Sequence, residues 1–146
     1  MSVENKTIMA AHGKARKNRY GDIIAYCNHM HNHSRQCVAG AIVVVNVSGD
    51  YLNPDSFAKE LQRPKFKMDQ VVKDTIEIFA TIPLRDTPDD PTELPEAVAI
   101  VVVDYDGVNP AKLVTDERAP QPTDAIYYGN FLNRLCSLYE RRLPTQ

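Results

Sequence analysis

Three cysteines in 146 residues are too few, and odd in number, for a disulfide scaffold. That scarcity points to a reducing compartment, and the expected location is the cytoplasm. Long apolar runs are also missing. The longest, residues 41–45 and 97–103, fall far short of the roughly 18 residues that a bilayer span needs. No cationic start leads into an apolar stretch in the first eleven residues, so no secretory signal is read there. The chain has no internal repeat, low-complexity tract or dividing linker. Its net charge of −2 lacks the basic excess of a typical nucleic-acid-binding domain. Gly13-Lys14 has no upstream glycine to make a phosphate-binding loop, and no serine sits in a G-x-S-x-G elbow.

What is present describes an ordinary folded domain. With 43% hydrophobic and 25% charged residues, a chain of this length can bury roughly two-thirds of its unfolded surface in one core. We expect a single α/β (α+β) domain over residues 1–146. Its sheet would be mixed or mostly antiparallel, with three to five strands flanked by an N-terminal and a C-terminal helix. Residues 1–18 read as a flexible basic segment.

The periodicity supplies the elements. Ile23, Ile24, Cys27, Met30 and His31 share one arc at 100° per residue, which predicts a helix over 19–33. The runs at 41–45 and 97–103, rich in β-branched residues, predict strands buried on both faces. Asn53-Pro54 resembles a helix start, followed by a short helix carrying Phe57 and Leu61. Alternation of Ile76, Ile78, Ala80 and Ile82 predicts a half-buried strand over 75–82, paired in a long hairpin with 97–103. Between them, residues 83–96 hold four prolines and five acidic residues, an exposed loop and the most mobile segment expected. Asp106-Gly107 makes a turn. A last helix, capped by Thr123 or Asp124 and running to about Leu143, would face the core with Ala125, Tyr128, Leu132, Leu135, Cys136, Tyr139 and Leu143. Tyr127, Phe131 and Leu138 form a second apolar flank, which suggests a homo-oligomer interface.

Chemistry-bearing residues are few. Three of the four histidines, His29, His31 and His33, lie close to Cys27 and Cys37. Imidazole and thiolate suit zinc and other divalent metals. A strand would bring 29, 31 and 33 together, whereas the expected helix separates His29 and His33 from His31 and Cys27. Asp104 and Asp106, at the end of an apolar strand, are a second candidate for a divalent cation. Lys14, Arg16, Lys17 and Arg19 could meet nucleic acid or an acidic partner, although simple solvation is the preferred reading. The favoured function is therefore a non-enzymatic interaction or assembly protein without a cofactor, self-associating through the last helix and presenting charged loops to a protein partner. The alternative is a metal-dependent hydrolase or phosphodiesterase that uses His29, His31, His33, Asp104 and Asp106.

Overall fold

A computed structural model describes residues 1–52, 61–62 and 67–143. Along the chain come β1 (Ser2–Ile8), α1 (His12–His33), β2 (Ala39–Asn46), β3 (Tyr51–Leu52), β4 (Leu61–Gln62), α2 (Met68–Ala80), β5 (Ala97–Asp104), β6 (Lys112–Leu113) and α3 (Tyr128–Arg142). Four strands form a mixed sheet in the order β1-β2-β5-β6, while β3 and β4 make a separate antiparallel pair. The contacts β1–β2 and β2–β5 are parallel, and β6 runs antiparallel to β5.

The expected α+β class with flanking terminal helices is the one observed. β2 sits between two parallel neighbours, where a strand needs apolar side chains on both faces. Its residues Ala39, Ala41, Val43 and Val45 join Val98, Ile100 and Val102 of β5 in a core roofed by Ile23 and Cys27 of α1 and by Val72 and Phe79 of α2. The opposite face packs Ala97 and Ala99 of β5, with Val38, against Phe131, Leu135 and Leu138 of α3. Gly40 makes that second contact close: a Cβ there would lie 2.8 Å from the Phe131 ring and 3.1 Å from Leu135.

Several expectations are corrected. Residues 2–8 form an edge strand and α1 begins at His12, so the N-terminal segment is structured. Residues 75–80 belong to α2, and its buried positions Val72, Thr75 and Phe79 recur at helical spacing. The proposed hairpin is therefore absent, and β5 takes β2 as its parallel neighbour. The acidic loop exposes Asp86, Asp89 and Glu93 but buries Arg85 and Glu96 completely. Within it, the Asp90 carboxylate accepts the N–H groups of Asp86 and Thr87, which fixes a turn. The helix expected to carry Phe57 lies outside the described residues, and Leu61 belongs to β4.

The two apolar flanks of the last helix exchange roles except at Leu135, which is buried as expected. α3 starts only at Tyr128, because the Ile126 carbonyl instead accepts the Ile100 N–H at the edge of β5. Phe131 and Leu138, assigned to an interface, are 1% and 3% exposed and belong to the core. Tyr128, Leu132, Tyr139 and Leu143, assigned to the core, are 44%, 42%, 38% and 42% exposed. Among the described residues no helix is long and apolar enough to cross a membrane.

Candidate functional site

Polar chemistry gathers at both ends of the parallel strands. At the N-terminal end, Glu96 is buried immediately before β5. Its Oε2 accepts the Ala39 N–H at 2.8 Å and faces His31 Nε2 at 2.9 Å. Its Oε1 accepts Arg142 Nη1 at 2.6 Å and Arg85 Nη1 at 3.1 Å. The other ring nitrogen of His31 lies 2.7 Å from the Thr92 carbonyl oxygen. Arg85 also donates to the carbonyls of Arg35, Pro88 and Asp90. One carboxylate thus ties α1, β2, the acidic loop and α3 together, and two buried guanidinium groups share it. Burial pushes the Glu96 carboxyl up, but the hydrogen bonds from His31, the Ala39 N–H and Arg142 outweigh burial and hold it below the usual glutamate range.

At the C-terminal end, His12 stands at the start of α1 with Nε2 donating to the Asn46 carbonyl at 2.8 Å. The Asn46 side chain, 1% exposed, accepts the N–H groups of Ser48 and Tyr105 and donates to the Tyr105 carbonyl at 2.8 Å and the Met9 carbonyl at 3.4 Å. It fastens the exits of β1, β2 and β5. Burial lowers the His12 pKa below its ordinary 6.5, with nearby Arg16 adding to the effect and the Asn46 carbonyl opposing it.

These two depressions fix a pH dependence. Native His12 resists the proton that the unfolded chain accepts, so its contribution is complete above about pH 6.5 and is lost as pH falls further. The Glu96 contribution is complete above about pH 4.5 and is lost below. Urea unfolding should therefore show stability declining in two limbs on acidification. His12→Gln should remove the upper limb, and curves for variant and wild type that coincide between pH 6.5 and about pH 5 would contradict this assignment.

The candidate metal ligands do not converge. His29 and His33 are exposed on α1, whereas His31 is buried with both ring nitrogens against oxygen atoms. Burial pushes the Cys27 thiol up to about 12 and raises that of Cys37 as well, which disfavours thiolate ligands. Asp106 closes a turn: its carboxylate accepts the Asn109 side-chain amide and the N–H groups of Val108 and Asn109. These bonds, led by the Asn109 side chain, pull its pKa down to about 2. Gly107 follows at φ +90°, where a Cβ would strike the Leu52 carbonyl. Among the described residues no group of three or more His, Cys, Asp or Glu side chains could hold a metal ion.

The basic segment is also divided. Lys14 and Lys17 are exposed, Arg16 lies 3.8 Å from Asp74 of α2, and Arg19 binds Asp22 and the Thr7 carbonyl. Sequence reasoning missed Glu96, Arg85 and Arg142 as a cluster. The available signal was a charged residue directly preceding a fully apolar strand, where solvation is poor. No protein-family model, curated protein or solved structure matches the chain.

Proposed function

We propose that this domain is a non-enzymatic interaction and assembly module that self-associates through α3 and presents its charged loops to a protein partner. The observation that carries this reading is the unburied apolar stripe Tyr128, Leu132, Tyr139 and Leu143, running the length of a helix whose other apolar arc already fills the core. A helix that only roofs a sheet needs one such arc. The stripe is also self-complementary. A two-fold axis between positions 135 and 136 sets Tyr128 against Leu143 and Leu132 against Tyr139 in an antiparallel pair, as an isologous contact requires. Val3, partnered with Gly40 in the sheet register and itself exposed, adds apolar surface on the same sheet face as α3. A cytoplasmic setting fits three cysteines that are all free thiols.

Light scattering tests the proposal. The wild-type chain should elute at twice its monomer mass, and Leu132→Asp should elute as a folded monomer whose cooperative unfolding midpoint no longer depends on protein concentration. A wild-type monomer at high concentration would refute it. Cys136 is an independent probe, because it is exposed on α3 and adjoins the proposed axis. A short bismaleimide should link two copies through it, and Cys136→Ser should abolish that product.

A further inference from the structure

We infer that the cavity between the acidic loop and the C-terminal end of α3 is an oxyanion site, which takes a carboxylate or phosphate group on the guanidinium of Arg142. The open cavity, about 520 Å³, is lined by Gln36, Asp86, Thr87, Pro88, Arg141 and Arg142. The Arg142 side chain is only 3% exposed. Its Nη1 donates to Glu96 at 2.6 Å and to the Cys37 carbonyl at 2.9 Å. Its Nε and Nη2 are buried without a hydrogen-bond partner among the described residues. Buried guanidinium donors are ordinarily satisfied, and leaving them unmade is costly.

The unused pair is chemically specific. Nε–H and Nη2–H lie side by side on one edge of a planar group and match the two oxygens of a carboxylate or phosphate in a bidentate contact. Charge argues the same way. Arg85 and Arg142 share the single carboxylate of Glu96, so among the described residues the cluster holds a cation without a matching anion. Two acidic side chains of the loop are already engaged elsewhere. Asp86 binds Arg134 at 2.6 Å, and Asp90 caps backbone N–H groups. Arg141, exposed at the rim and donating to the Asp86 carbonyl at 3.3 Å, can approach the same ligand.

The test titrates inorganic phosphate and acetate into the full chain at constant ionic strength, with chloride as control, and follows the Arg142 Nε–H resonance together with the unfolding midpoint. Saturable shifts with phosphate, acetate or both, absent with chloride, support the site; the anion that acts identifies the source as phosphate or carboxylate. Arg141→Gln, which leaves the buried cluster intact, should weaken binding about two- to fivefold, the size of one exposed charge-assisted contact. Arg142→Lys, which keeps the charge beside Glu96 but loses the fork, should abolish saturation. No saturable shift with either anion, or shifts that chloride reproduces, overturns the inference. If Arg142→Lys fails to fold, Arg141→Gln decides, and unaltered affinity in that variant also overturns it.

Discussion

Glu96→Gln should lower the unfolding free energy by about 3–5 kcal/mol, the range for removing one partner of a buried ion pair. The carboxylate is fully buried, with four neighbours facing it: His31, the Ala39 N–H, Arg85 and Arg142. The amide of glutamine keeps the shape but replaces one accepting oxygen with a donating NH₂. Whichever way it turns, a donor meets donors, and both guanidinium groups lose their counter-charge. Because the four contacts come from α1, β2, the acidic loop and α3, the loss is global. Urea unfolding at neutral pH measures it directly. A cost below about 1 kcal/mol, typical of an exposed pair, would mean that water reaches the cluster. Glu96→Gln should also flatten the lower acid limb of the stability profile, since the group that titrates there is gone.

How much of this arrangement could be read from the residues depends on how each element is buried. β2 and β5 are covered on both faces, so their apolar runs declared them. α1 has a single buried arc through Ile23, Cys27 and His31, and its period was legible, including the dispersal of its histidines. β1 was not legible. As an edge strand with alternate residues exposed, it needs few apolar side chains, and Glu4, Asn5, Lys6 and Thr7 look like a loop. Ile76 and Ile78 of α2 and Ile82 just beyond it alternate by coincidence; the deciding partner, Val72, lies one turn upstream of the window that alternates. The site divides similarly. His31 falls on the apolar arc of α1 and is buried, but its anchor Glu96 was hidden among the exposed acids of the loop. Arg85 and Arg142 meet only through the tertiary fold, 57 positions apart in the chain, and no local pattern announces such a pair.

The ambiguity of α3 yields the sharpest experiment. Two adjacent arcs of this helix are apolar, and the sequence alone gives no reason why one faces the sheet. The structure supplies the reason at Gly40, whose missing side chain admits the Phe131 ring against β2. Phe131→Asp and Leu132→Asp, neighbours with the same substitution, should therefore fail in different ways. Phe131 is 1% exposed; truncation of such a residue to alanine costs about 3–5 kcal/mol. An aspartate adds an unpaired carboxylate buried between Gly40, Leu135 and Ala97, and desolvating that charge costs more again. A domain of ordinary stability has about 5–15 kcal/mol in total, so Phe131→Asp should be largely unfolded, with its far-UV dichroism collapsed and no cooperative melt. Leu132→Asp places the same charge on the exposed arc, where water solvates it. Its dichroism should match wild type and its melt should stay cooperative, lower in midpoint only by the stabilisation that association supplies, while the mass falls to that of a monomer. Folded Phe131→Asp would reverse the assignment of the two arcs and return Phe131 to the surface. Unfolded Leu132→Asp would mean that the monomer cannot stand without its partner, which makes association obligatory for folding.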